Sequence, residues 1–394
     1  MRKPLAVFFL AALVASCAQE APRRDLAPSA PAVVPVPDQF GLVPARFSDL
    51  PGWQDDAAAA VLPALNRTCD RLLNLPLDKS VGYDGMGGTV ADWYTPCSVA
   101  RRLAVNDNDG ARLFFEGWFS PFLAVNNGSA EGVFTGYFEP ELKGSRTRSA
   151  VYAIPLLGRP RDLVMRKGAD GGSDVGRMVQ GKFVPYPTRA EIEAGAIAQQ
   201  ANAVVWVADA VDAHILHIQG SGRIRFEDGS VMQVGVAATN GRPFVGISRL
   251  LRDRGLLADV SMPSVRAWLR AHPREAKALM AENPRYVFYH EVRGDGPLGS
   301  EGVALTPGRS LAVDPRYVAL GLPLFLDTVD PTGQPLQRLV MAQDTGGAIK
   351  GPVRGDFFWG AGEEAFDKAG RMKSAGRYWL MLPQRRSPRI ANAN

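Results

Sequence analysis

Apolar positions recur along this chain with two different periods. Residues 55–75 carry Val61, Leu62, Leu65, Leu72 and Leu73 at roughly helical spacing, which predicts a helix that Pro63 breaks or kinks. Asn108 or Asp109 can cap a second helix, whose stripe of Leu113, Phe114, Trp118 and Phe119 reads as core. Thr188 and Glu191 form a Thr-x-x-Glu capping box that opens a third. Further helices are predicted over 243–254, ended by Gly255, over 264–270, and from Pro273 to about Glu282. Short strand-type segments fall at 132–139, 150–157, 204–211, 213–218, 287–289, 302–305, 311–313, 322–326, 336–342 and 378–382. The two flanks look like one β-rich body, and the middle looks like an insertion with helices and strands of its own. No solenoid period is visible.

Composition narrows the class. With 46% hydrophobic and 22% charged residues over 394 positions, the chain is globular and long enough for two cores. The net charge of +5 is too weak to argue for nucleic acid, and no basic run or RNA-binding motif supports such a partner. Arg2 and Lys3 precede an apolar stretch, 5–14, too short to span a bilayer. Ala15 and Ser16 then lead to Cys17, which resembles a bacterial lipobox with signal peptide 1–16 and a lipidated cysteine. Ala18 follows where sorting signals for the inner membrane place Asp, so the resemblance implies the periplasmic face of the outer membrane. Residues 17–39, with Pro22, Pro28, Pro31, Pro35 and Pro37, read as an extended tether. In an oxidising compartment Cys69 and Cys97 could pair, or stay as two buried thiols. Neither has metal-site spacing. His214 and His217 point to opposite faces of their predicted strand, so no metal or other cofactor is expected.

The candidate chemistry is carboxylate chemistry. An apolar run, 339–341, leads to Asp344; Gly346 and Gly347 follow; Asp356 then precedes Phe357, Phe358 and Trp359. Asp314 ends the 311–313 segment. Aspartates at strand ends can be held rigidly toward a groove, although Asp344 could equally be an ordinary turn residue bonding its own amides. Packed beside the aromatics, Asp356 would be desolvated and its pKa raised, as a general acid at neutral pH requires. Asp344, among amide donors, is expected to stay ionised and structural. The 132–139 segment puts Thr135, Tyr137 and Glu139 on one face and Phe134 and Phe138 on the other. That polar face suits a polyhydroxylated ligand, or is simply a half-exposed strand. Gln219-Gly220-Ser221-Gly222 is a hairpin turn or a hydrogen-bonding loop. It is not a nucleophile elbow. The glycines of 81–89 lack dinucleotide-binding context.

Gly132 to Glu139 (GVFTGYFE), Gln219-Gly220-Ser221-Gly222, Asn283-Pro284-Arg285-Tyr286-Val287-Phe288, Val313-Asp314-Pro315, the run from Asp344 to Gly351, and Asp356 with Trp359-Gly360 resemble, in order, the membrane-bound lytic murein transglycosylase A family. The resemblance implies a mainly β protein with peripheral helices. It implies a double-psi β-barrel, the three-aspartate domain, built from both chain ends (40–140 and 284–385). A second β domain, 141–283, is inserted, with a groove between the two. It implies cleavage of the β-1,4 bond between N-acetylmuramic acid and N-acetylglucosamine in peptidoglycan glycan strands. The sugar's own C6 hydroxyl attacks and leaves a 1,6-anhydro end. By position Asp356 is then the acid and base, Asp344, Asp314 and Lys350 support it, and Thr135, Tyr137, Glu139, Gln219, Ser221 and Trp359 meet substrate. The implied context is a monomer anchored to the outer membrane, working beside cell-wall synthesis or remodelling proteins. Two other functions fit parts of the pattern: a non-catalytic wall-binding lipoprotein using the same groove, and an aspartic protease built on Asp344-Thr345-Gly346. The protease has only one such motif and would need a symmetric dimer.

Overall fold

The computed structural model describes residues 37–82, 85–168, 173–294 and 296–384, so the signal segment, Cys17 and nearly all of the tether lie outside the described residues. The described residues from Asp38 onward form one compact unit. Its first part contains β1 (Phe40–Pro44), α1 (Leu62–Leu72), α2 (Val90–Ala100), α3 (Asn108–Trp118), β2 (Phe119–Asn126) and β3 (Gly132–Glu139). The middle contains β4 (Glu141–Ser145), β5 (Ile154–Leu157), β6 (Val164–Lys167), β7 (Ser173–Val179), β8 (Lys182–Pro185), α4 (Arg189–Glu193), β9 (Ala203–Val207), α5 (Ala210–Gln219), β10 (Gly222–Arg225) and β11 (Val231–Thr239). Then come α6 (Ile247–Asp253), α7 (Met262–Ala271), α8 (Pro273–Ala281) and β12 (Val287–Val292). The last part contains β13 (Ser310–Val313), β14 (Pro323–Val329), β15 (Pro335–Asp344), β16 (Arg354–Ala361), α9 (Gly362–Arg371) and β17 (Lys373–Pro383).

Six of these strands close on themselves. One edge of β17 pairs with β14, and the ladder runs on through β15, β13 and β16 to β3. β3 then returns to the other edge of β17 at Lys373–Gly376. The ring mixes directions: β13–β15 and β16–β3 are parallel, and the rest are antiparallel. Past Gly376 the same edge of β17 pairs with β2, which carries β1 outward. Closure leaves no free edge in the ring, which is how a short-stranded sheet satisfies its backbone. Phe134, Leu311, Val340, Phe357 and Tyr378 share one buried core with residues of α1 to α3. A disulfide between Cys69 and Cys97 ties α1 to α2.

The middle of the chain builds a second sheet, in the order β12-β11-β10-β4-β9-β5, and a small three-stranded sheet, β6-β7-β8. β12 pairs with β11 rather than with the barrel. The return to the barrel therefore falls after Val292, beyond the Asn283 suggested by sequence. Helices α6 to α8 do not join that sheet. They pack with α9 and Phe138 in a separate apolar cluster on the outside of the barrel.

Several sequence expectations need correction. Residues 210–219 form α5, not a strand. Asp209 caps it by accepting from Asp212 N, and Gly220 ends it at φ 86°. Val211, His214, Ile215 and Ile218 follow helical spacing, and the capping Asp and terminating Gly were both present to be read. His214 and His217 therefore do not alternate across a strand; both are buried. Pro63 sits in the first turn of α1, where a missing N–H costs nothing, so it starts the helix rather than breaking it. α3 is capped by Asp107, through Gly110 N, and Leu113 points to solvent. The 302–305 segment contributes only a single bridge, Leu298 to Ala304.

Candidate active site

Strand register assembles the site. Across the parallel β16–β3 pair, Asp356 stands opposite Thr135. On its other side Asp356 stands opposite Ala312 of β13, and Ala312 stands opposite Asp344 of β15. Four neighbouring strands thus carry Asp344, Ala312, Asp356 and Thr135 in one row. The middle position is the smallest, so only a methyl group separates two carboxylates. The adjacent Gly355 faces the opposite way, into the barrel core. A Cβ there would lie 2.9 Å from the Phe134 ring and 3.0 Å from Leu311, so the absence of a side chain lets β16 sit close against the core.

The carboxylates have unequal surroundings. Asp356 Oδ1 accepts one hydrogen bond, from Thr135 Oγ1 at 2.5 Å. Arg354 Nη2 in turn donates to Thr135 Oγ1 at 2.8 Å. Because arginine has no acceptor, the Thr135 proton must point to Asp356. Burial pushes the Asp356 pKa up to about 6, against the pull of Thr135 and Arg354 and with help from the negative charge of Asp344. Asp344 Oδ1 accepts from Ser300 N at 2.9 Å, Ser300 Oγ at 2.9 Å and Thr345 N at 2.8 Å. Burial nevertheless raises its pKa, against the pull of these donors. Tyr137 Oη is buried beside the two aspartates without a well-formed hydrogen bond, and burial and both negative charges hold its proton firmly.

Next to this row is a cleft of about 490 Å³ between barrel and inserted sheet. From the barrel side come Tyr137, Glu139, Asp344, Thr345, Gly346 and Gly347, together with the 297–300 loop. From the inserted side come His217, Gln219, Ser221, Gln233, Arg285 and His290. Volume and mixed lining are those of a small-ligand site. Among the described residues no three metal-type side chains converge anywhere.

The structure brings most of the sequence candidates together, though not all. Thr135, Tyr137, Asp344 and Asp356 form the row and its cover, and Gln219 and Ser221 line the cleft. Glu139 reaches the cleft too, but as a buried ion pair with Arg223 at 2.6 Å. Trp359 does not meet the cleft. It lies on the other face of β16, over Gly136 and under Lys368 of α9. Phe357 also points away, into the barrel core, so of the three aromatics only Phe358 shares the face of Asp356, where it contacts Tyr137 at 5.1 Å between ring centroids. The period-two alternation of a strand decides this, and adjacency in sequence does not. Asp314 is a strut. It accepts from Arg316 and from Gly351 N; burial works against it, but these donors hold its pKa down to about 2. Lys350 is exposed, lines no part of the cleft and makes no ion pair among the described residues. Sequence reasoning missed Arg354, Ser300 and Arg285. Arg354 was legible as the residue two before Asp356 on one strand face, while Ser300 comes from a loop with no local signal.

The chain matches the MltA specific insert domain over residues 133–290 and the 3D domain over residues 309–382. It is 31% identical over 268 residues to membrane-bound lytic murein transglycosylase A of Escherichia coli K12, covering 66% of this chain and 67% of that one. Its structure resembles the crystal structure of MltA from Neisseria gonorrhoeae, with a TM-score of 0.77 and 32% identity, covering 88% of this chain and 94% of that one. It also resembles E. coli MltA with bound chitohexaose, with a TM-score of 0.61 and 25% identity, covering 87% and 94%.

Proposed function

The chain belongs to the membrane-bound lytic murein transglycosylase A family, and we propose that Asp356 is the single acid with which it cleaves the glycan of peptidoglycan. The bond broken is the β-1,4 link from C1 of N-acetylmuramic acid to O4 of N-acetylglucosamine. Asp356 gives its proton to O4, the C1–O4 bond breaks, and an oxocarbenium-like centre forms at C1. The resulting carboxylate takes the proton of the muramic acid C6 hydroxyl as O6 bonds to C1. The products are a 1,6-anhydro end and a free 4-hydroxyl, no water is consumed, and Asp356 is protonated again. Thr135 occupies Oδ1, so Oδ2 is the oxygen left to carry the proton.

One observation carries this reading: a buried carboxyl, its pKa raised to about 6 and fixed by a hydroxyl donor, stands in one strand row with Asp344, and Asp344 and Tyr137, though not Asp356 itself, line a cleft of sugar size. The test is Asp356→Asn incubated with purified sacculi, with products read by mass spectrometry. Loss of anhydro-muropeptides with an unchanged circular dichroism spectrum supports the assignment. Continued release of anhydro ends would refute it. Products with reducing ends from the parent chain would mean hydrolysis instead.

The relatives are named as membrane-bound, and no helix among the described residues is long and apolar enough to cross a membrane. A lipid on Cys17, holding the enzyme at the periplasmic face of the outer membrane, fits both facts. Fatty-acid labelling that persists in Cys17→Ala would remove that anchor from consideration.

A further inference from the structure

The two walls of the cleft differ in charge. The barrel wall supplies Asp344 and the Glu139 carboxylate, the latter already paired with Arg223. Among the described residues that line the inserted wall there is no carboxylate. There is one guanidinium, that of Arg285. Arg285 is half-buried, yet its side chain makes no ion pair and no hydrogen bond among the described residues. Its backbone is fixed: Arg285 N donates to Asn283 Oδ1 at 3.3 Å, and Arg285 O accepts from Arg189 Nη2 at 2.9 Å. The guanidinium hangs over the glycine turn after Asp344, where a methyl group added to Gly347 would lie 3.8 Å from Nη1. A partly desolvated, unpaired guanidinium on a rigid backbone is poised for a planar anion, because its fork matches two carboxylate oxygens.

Resting on the functional reading above, we infer that Arg285 is the cleft's carboxylate-binding residue and selects muramic-acid-bearing strands over neutral N-acetylglucosamine polymer. Muramic acid differs from its neighbour by a lactyl ether. Its carboxylate is either free or continued as a peptide that bears carboxylates of its own. Both sources present the same chemistry to Arg285.

The test measures binding calorimetrically in the full chain carrying Asp356→Asn, which stops turnover. The three ligands are chitohexaose, which is neutral; peptide-free murein oligosaccharide, with free lactyl carboxylates; and peptide-bearing strands. Adding Arg285→Gln should weaken one or both carboxylate-bearing ligands about tenfold or more and leave chitohexaose within about twofold. Whichever ligand is weakened identifies the source of the carboxylate. Arg285→Lys should recover only part of the loss, since an ammonium cannot make the fork. If Arg285→Gln does not fold, salt dependence in the Asp356→Asn chain takes its place. Affinity for the carboxylate-bearing ligands should fall with salt, and affinity for chitohexaose should not. Equal losses for all three ligands, or none for any, or equal salt dependence, overturn the inference while leaving the glycan function intact. Failure of the Asp356→Asn chain to bind any of the three would overturn both.

Discussion

Thr135→Val removes one hydroxyl and changes almost no volume, which makes it the sharpest probe of the acid. In the parent chain the Thr135 proton rests on Asp356 Oδ1, where it stabilises the carboxylate over the neutral acid and holds the pKa down to about 6 despite burial. A hydrogen bond to a charged group contributes about 1.5–3 kcal/mol, and a pKa unit corresponds to about 1.4 kcal/mol, so losing it should raise the pKa by about one to two units. The first step needs protonated Asp356, and the same group then serves as base. The rate of anhydro-muropeptide release from sacculi should therefore be flat at acid pH and fall about tenfold per unit above the pKa. The parent limb is expected near pH 6, and that of Thr135→Val about one to two units higher. Arg354 could swing from the lost hydroxyl to Asp356 and mask the shift. The double variant Thr135→Val/Arg354→Gln closes that route and should move the limb at least as far. A limb that stays put, or moves down in both variants, would show that Thr135 does not set the acidity of the catalytic group.

Other consequences are open to direct measurement. The folded pKa of Asp356 lies above that of an unfolded aspartate, so stability falls as pH rises from about 4 to about 6 and stays lower above it. Asp356→Asn should thus be more stable than the parent by about 3 kcal/mol at pH 8, a difference nearly gone by about pH 4, measured by urea unfolding. His214 is buried with both ring nitrogens unpartnered, and burial, aided by the Arg189 charge, depresses its pKa to about 3. The unfolded chain binds that proton near pH 6.5, so stability drops as pH falls below that value; His214→Leu should remove about 2 kcal/mol of this loss at pH 5. Joining α1 to α2 across 28 residues, the Cys69–Cys97 bond should contribute about 3–4 kcal/mol, to be read from the unfolding midpoint of Cys69→Ala/Cys97→Ala. An unchanged midpoint would show that the reduced chain already keeps these helices together.

What could be read from the sequence was local and periodic. The run 339–341 and the aspartate after it mark a strand end, and β15 ends at Asp344. The Thr188–Glu191 box caps α4 through both of its reciprocal bonds. The alternation of 132–139 put Thr135 and Tyr137 on the face opposite Phe134, as they stand in β3. The failures arose where packing or distant chain overrides a local cue. Residues 204–218 are apolar almost throughout, so neither period stands out and only the caps distinguish helix from strand. Trp359 follows Asp356 closely, yet strand alternation and α9 take it to the other side of the sheet. Ser300 reaches Asp344 from 44 residues away, and no pattern in either segment announces the meeting.

The row of residues also accounts for why two carboxylates here do not make a hydrolase. Asp344 and Asp356 flank Ala312, so their backbones lie two strand spacings apart, about 10 Å. An acid and a base with room for water between them is the arrangement of inverting glycosidases. The donors break the symmetry. Asp344 accepts three, all on one oxygen and two of them from Ser300, which fixes the carboxylate in place and works against the burial that raises its pKa. Asp356 accepts one. A charge on Asp344 disfavours a second charge on Asp356, which adds to the burial that raises the Asp356 pKa. In its charged form Asp344 favours the proton on Asp356 and the positive centre that forms at C1. With Asp344 pinned, the only mobile proton acceptor in the row is the acid itself after it has given its proton away. A base that exists only once the bond is broken cannot activate water beforehand. It can take a proton from the nucleophile already tethered to the reacting sugar, the C6 hydroxyl.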